Sequence, residues 1–317
     1  MNESLFMKLF AATNILTVFF KRPCIAVGVG AMMFLSQAKA DQPVDDSTKP
    51  GTLAYHLATN ATGRAEGRYG DYSDKVVLMA PNSIRLTHYA DAEWSGKCWL
   101  SGVQGLSATP IGFSNVLNGQ GLPTMISPRH YAGATHMHPE GYLIAFLDTN
   151  NVIFWRKTLQ RVDVGGDTSV GILDADLPPS VCFLPVLPAI YTNYLPTTYS
   201  NRIQGIGMNQ DMYVFGQPMT FGSWNFVNWD SGKTAPFGLA TNWNVTIRVG
   251  DSSNPEMLLV GNQLVLVSHN AVVKGGPGYA SQIPAINQAM HLLSTNNHVR
   301  TDYQLTEFPL TNWPTNR

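Results

Sequence analysis

Residues 256–267 read EMLLVGNQLVLV, two short apolar runs hinged on Gly261-Asn262. Gly-Asn supplies the positive φ of a tight turn, and the runs on either side are too short for helices. The stretch therefore predicts a β-hairpin. The same grammar appears upstream in FLDTNNVIFW (residues 146–155), which turns around Asn150-Asn151. DKVVLMA (74–80), GYLIAFLD (141–148), NVIFWRKT (151–158), DMYVFG (211–216) and NVTIRVG (244–250) are further short runs rich in Val, Ile and aromatics, bounded by Gly, Asn or Asp. In the last of them Val245, Ile247 and Val249 alternate as one face of a strand would. Only the end reads as a helix: in residues 284–293, Ile286, Met290 and Leu293 fall at i, i+4 and i+7, and Pro284 suits a first turn. The fold class that follows is all-β with a C-terminal α-helix.

Composition bounds what such a fold does. With 317 residues, 44% hydrophobic and 13% charged, the chain can bury a large core and is neither disordered nor collagenous. Its 20 Lys and Arg face 21 Asp and Glu, for a net charge of -1, and neither sign is massed into a block that would track a phosphate backbone. No nucleic-acid partner is expected.

The first forty residues differ from the rest. Basic residues Lys8, Lys21 and Arg22 precede the apolar run CIAVGVGAMMFL (24–35), and Ala38-Lys39-Ala40 has the small-x-small form of a signal peptidase site. Each apolar run there has about a dozen residues against the ~20 of a spanning helix. Residues 1–40 are thus read as a signal peptide, the product as secreted or periplasmic, and no membrane association is expected after cleavage. Removal takes four of the 20 basic and one of the 21 acidic residues, leaving 16 against 20. Cys24 leaves too, so Cys98 and Cys182 remain as an even pair in an oxidising compartment, where a disulfide is the simplest expectation. On the chain-entropy picture, closing so long a loop contributes on the order of 4 kcal/mol.

Between the two ends lie the residues that carry chemistry. RVGDSSNP (248–255) places Ser252 in a Gly-Asp-Ser turn directly before the hairpin. Those residue types suit any tight turn. They equally suit a nucleophile held on a rigid corner, which requires a base and a carboxylate elsewhere. ATHMHPEG (134–141) offers His136, and VGGDTSVGIL (164–173) offers Asp167 one step before an apolar strand, where its carboxylate can be half-buried against a histidine. His136, His138 and Glu140 also form an H-x-H pattern, but Pro139 interrupts the strand and no further ligand has recognisable spacing, so no metal and no other cofactor is expected.

The segments GATHMHP, GGDTSVGIL, VGDSSNP, LVLVSHNA and GGPGYASQI, in that order, resemble the chymotrypsin/trypsin family of serine peptidases, and within it the divergent exported bacterial members. Ala134-Thr135-His136 matches the family's histidine motif, Asp167 its aspartate, and Gly250-Asp251-Ser252-Ser253-Asn254-Pro255 its nucleophile motif, over about residues 120–293. The resemblance implies two packed six-stranded antiparallel β-barrels with the site between them. It divides the chain into a polar leading segment (41–75), a first barrel carrying His136 and Asp167 (76–190), a second barrel carrying Ser252 plus the helix (203–300), and a tail (301–317). Residues 191–202 read as the linker. It further implies a Ser252-His136-Asp167 triad, an oxyanion hole from the amides of Gly250 and Ser252, a substrate strand at Ser268, His269 and Asn270, a pocket floor at Thr246, and a polypeptide substrate cleaved through an acyl-enzyme.

The sequence departs from the family's pattern at several of these positions. Ser253 and Asn254 stand where the motif has glycines. Asn254 is expected to take a left-handed backbone cheaply and Ser253 to narrow the site. His269-Asn270 replace Trp-Gly and are expected to crowd the strand that pairs with substrate. Asp251 lacks the Ile or Val amino terminus that it meets in the digestive enzymes, because cleavage after Ala40 exposes Asp41. Uncharged Thr246 argues against Lys or Arg selection. A second expectation therefore stands beside the peptidase: a catalytically silent barrel binding peptide or glycan on an aromatic platform that includes Trp224 and Trp229.

Overall fold

The computed structural model describes residues 46–68, 70–80, 89–113, 121–137, 140–197, 202–222, 226–230, 238–240, 243, 247–272 and 275–315. The leading part carries helix α1 (Leu53–Glu66), the single turn α2 (Tyr72–Lys75) and a small pair, β1 (Met79–Ala80) with β2 (Glu93–Trp94). A first sheet follows, made of β3 (Gly112–Phe113), β4 (Thr124–Met125), β5 (His130–Ala134), β6 (Leu143–Leu147), β7 (Ile153–Gly165) and β8 (Thr168–Leu173). The second contains β9 (Ile203–Met208), β10 (Val214–Phe221), β11 (Phe226–Trp229), β12 (Pro255–Val260), β13 (Gln263–His269) and β14 (Gly275–Pro277). Helix α3 (Ile283–Asn296) closes the fold and buries Ile286, Met290 and Leu293, the residues its periodicity marks.

Both sheets are antiparallel, six-stranded and curled into half-barrels. Their strand orders, β3-β6-β7-β8-β5-β4 and β13-β12-β9-β10-β11-β14, look unrelated until each sheet is numbered by itself. The first then runs first-fourth-fifth-sixth-third-second, and the second runs fifth-fourth-first-second-third-sixth. These are one circle, first-second-third-sixth-fifth-fourth, opened at two different seams. The first sheet opens between its first and second strands, the second between its fifth and sixth. Two half-barrels with one shared topology are thus the architecture of residues 112–277.

Apolar burial joins the halves. Ile144, Phe146, Val170 and Ile172 of the first sheet share one cluster with Ile206, Val214, Met257 and Leu266 of the second. Phe215, Met219, Leu258 and Val267 of the second sheet form another, together with Leu53 and Leu57 of α1. Helix α3 packs on β7 and β8. Among the described residues no helix is long and apolar enough to cross a membrane.

Four expectations change. The polar leading segment contains α1: Thr52 accepts the N–H of Tyr55 on its Oγ1 at 3.2 Å as an N-cap, and Ala54, Ala58, Ala61 and Ala65 form a buried stripe. Asn60 donates its side-chain amide to the carbonyls of Leu259 and Gly261, at 3.2 and 2.7 Å, fastening α1 to the 261–262 hairpin. The strand expected over DKVVLMA shrinks to the two residues of β1. Residues 247–250 form no strand, and Val249, expected to face inward, is 88% exposed. The disulfide is not formed: Cys98 and Cys182 are both free thiols that line one cavity of about 320 Å³. Cys98 is buried beside Trp99, and burial pushes its thiol up to about 11, while the Cys182 backbone is held by the Ser107 hydroxyl at 2.9 Å. Residues 1–40, including the expected signal peptide and Cys24, lie outside the described residues.

Candidate active site

Strand register brings the first two site residues together. Along the β5–β8 ladder Ala134 pairs with Thr168, so one step further Thr135 faces Asp167, and its N–H donates to the Asp167 carbonyl at 2.9 Å. Gly166 and Asp167 form the two-residue turn between β7 and β8, with φ of 64° and 65°, the signature of a primed hairpin turn. The turn lifts the Asp167 carboxylate toward the short helical turn Thr135–Met137. There Oδ2 lies 2.7 Å from His136 Nδ1, and Oδ1 accepts the His136 backbone N–H at 3.3 Å. A carboxylate only accepts, so Nδ1 carries the proton and Nε2 is left as the basic nitrogen. The pair is open to solvent, with side-chain exposures of 47% for His136 and 33% for Asp167. Arg161 braces this corner by donating to the Thr135 carbonyl, and it pairs with Glu140 at 3.2 Å. Among the described residues no group of three metal-ligating side chains converges, and His138 lies outside them.

Ser252 sits half-buried in the turn leading into β12, at the junction of the half-barrels. The turn is stitched to the first half-barrel at several points. Gly121 donates its N–H to the Gly250 carbonyl at 3.1 Å, Leu122 donates to Asn254 Oδ1 at 3.2 Å, and Ala134 donates to Ser253 Oγ at 2.9 Å. Gly250 has a φ of 102°, open to glycine and strained for other residues. Among the described residues the amides of Gly250 and Ser252 have no acceptor. The left-handed residue after Ser252 is Ser253, with φ 72°, and not Asn254.

Asp251 gains the partners that its sequence left open. It is fully buried, with Oδ2 accepting the N–H of Arg248 and Oδ1 that of Gln210, both at 2.7 Å. Burial raises its pKa, and the two amides oppose that rise. Arg248 pairs with Asp211. Turn 248–251 is therefore held by the β9–β10 connection, with backbone amides serving Asp251 as donors.

The substrate-strand residues also fall differently from expectation. His269 is 1% exposed and does not crowd a cleft. Its Nε2 lies 3.2 Å from the Asp167 carbonyl oxygen, and its Nδ1 lies 2.7 Å from the Tyr279 hydroxyl. A carbonyl cannot donate, so Nε2 bears the hydrogen and Tyr279 donates to Nδ1. Burial lowers the imidazole to about 4, which keeps it neutral. His269 thus stands behind the acid, a placement that its motif position does not announce. Ser268 is buried, with its hydroxyl donating to the Pro277 carbonyl at 2.8 Å, and Asn270 accepts the Trp229 indole N–H on Oδ1 at 3.0 Å. Trp229 is 5% exposed, packed on Phe215, and presents no platform to solvent. Thr246 and Trp224 lie outside the described residues. Searches of protein-family models and of curated proteins give no match to this chain.

Proposed function

We propose that this chain is an exported serine endopeptidase of the chymotrypsin/trypsin type, with Ser252 as nucleophile, His136 as base and Asp167 as the acid that orients it. The observation that carries the reading is the 2.7 Å contact between His136 Nδ1 and Asp167 Oδ2, built by strand register, beside a turn in which the amides of Gly250 and Ser252 have no acceptor among the described residues. The repeated six-strand circle supports it, since that arrangement sets the histidine and aspartate on one half-barrel and the serine on the other.

Each group has a definite task in this reading. His136 Nε2 takes the Ser252 hydroxyl proton as Oγ attacks the peptide carbonyl, and Asp167 stabilises the imidazolium. The carbonyl oxygen, now an anion, meets the N–H groups of Gly250 and Ser252, each worth roughly 3 kcal/mol in the transition state. Collapse expels the amine, which takes the proton from His136, and leaves the acyl group on Ser252. Water then attacks the ester with His136 again as base, and the acid and the free hydroxyl are released.

A fluorophosphonate probe tests the proposal directly. The folded chain should acquire one adduct, mapped to Ser252, absent from Ser252→Ala and at least about a hundredfold slower in His136→Ala. A folded protein that takes no label would leave the silent barrel in its place.

A further inference from the structure

Ser253 occupies a position where the motif leads one to expect glycine, and it is a serine in left-handed backbone at φ 72°, fully buried. Such a conformation is open to glycine and disfavoured for a residue with a Cβ. A buried serine that keeps it must return something that glycine does not. The hydroxyl is the obvious candidate. Its oxygen accepts the N–H of Ala134 at 2.9 Å, across the junction between the half-barrels.

The connections of this one residue reach every member of the triad. Ala134 ends β5, two residues before His136. The Ser253 N–H donates to the Asn270 carbonyl at 2.8 Å, and Asn270 is the neighbour of His269, whose ring holds the Asp167 carbonyl. Ser252 is joined to it by the peptide bond. Resting on the peptidase reading, we infer that Ser253 is a positioning residue: its hydroxyl clamps the nucleophile turn to the end of β5 and so sets the approach of Ser252 to His136. The residue touches no substrate and transfers no proton.

The backbone strain supplies a test in which stability and reactivity move apart. Ser253→Gly relieves the left-handed backbone while removing the clamp, whereas Ser253→Ala keeps the strain and removes the clamp. For a positioning residue, Ser253→Gly holds or raises Tm, yet phosphonylates at Ser252 about tenfold or more slowly. Ser253→Ala loses both. Amide exchange at Ala134 quickens in each, since its acceptor is gone. An unchanged labelling rate in Ser253→Gly overturns the clamp while wild-type labelling keeps the peptidase reading standing. Absence of label on wild-type Ser252 overturns both together. Should Ser253→Gly not fold, Ser253→Ala decides: a rate loss beyond its unfolded fraction supports the clamp, and a loss equal to that fraction rejects it.

Discussion

Glu256 is the residue whose surroundings least resemble its chemistry. It is fully buried at the start of β12, and both carboxyl oxygens lack a hydrogen-bond partner among the described residues. Ser268 and Trp229 beside it oppose the effect of burial only in part, because their protons point to the Pro277 carbonyl and to Asn270 Oδ1. Burial pushes the carboxyl up to about 8 from 4.5. Between those two values the folded chain binds a proton that the unfolded chain has released. Stability therefore falls as pH rises through that window, by about 1.4 kcal/mol per unit, and levels above it. Glu256→Gln, uncharged and close in shape, should match the wild type at pH 5 and exceed it at pH 9 in urea unfolding. An equal alkaline decline in both would refute the assignment. None of this is legible in the sequence, where Glu256 reads as an ordinary polar start to an apolar strand. The contact between His136 and Asp167 follows from strand register, which the apolar pattern around them makes legible, whereas the motif position of His269 says nothing of which way its ring turns.

At the scale of elements, the seam between β13 and β14 governs the acid's support. A Cβ on Gly276 would stand 1.8 Å from the His269 carbonyl oxygen, so only glycine lets the two strands approach this closely. Gly276→Ala must push β14 away from His269 and slacken the hold on Asp167. We expect a loss of about 2 kcal/mol or more in stability, with labelling of Ser252 slowed beyond what unfolding explains. A variant with wild-type Tm and rate would show that the seam yields freely. The hairpins at Asn150-Asn151 and Gly261-Asn262 were readable because turn chemistry is local, and Asn151 and Gly261 do take positive φ, 61° in each. Helix α1 was not, since four of its six buried residues are alanine, whose weak hydrophobicity leaves little contrast against polar neighbours. The alternation that continues through Ile247 and Val249 misled for the converse reason. Hydrophobic pattern says nothing of a turn that Asp251 closes by accepting backbone amides.

Across the whole molecule, buried titratable groups set the pH at which the half-barrels hold together best. His130 is buried between Ser127 Oγ at 3.0 Å and Ser294 Oγ at 3.2 Å, and so joins the β5 turn to α3. Burial lowers both His130 and His269 to about 4 from 6.5. Between these values the unfolded chain binds two protons that the folded chain refuses, so stability climbs with pH, and His56, lowered by burial, adds in the same direction. Glu256 opposes the climb from 4.5 upward but, at one proton against two, only halves it. Above 6.5 the histidines fall silent and Glu256 alone remains, so the slope reverses. The chain should therefore be most stable near pH 6.5, with an acid limb that steepens below pH 4.5, where Glu256 no longer opposes the histidines. Chemical unfolding at half-unit steps from pH 4 to 9 reads the curve directly. His130→Asn, which removes one of the two imidazoles, should shallow the acid limb by about 1.4 kcal/mol per unit and leave the alkaline limb unchanged. A maximum at pH 8 or above would mean that the carboxyl of Glu256 is charged and paired in the folded chain, and that the second half-barrel is assembled around an ion and not around an acid.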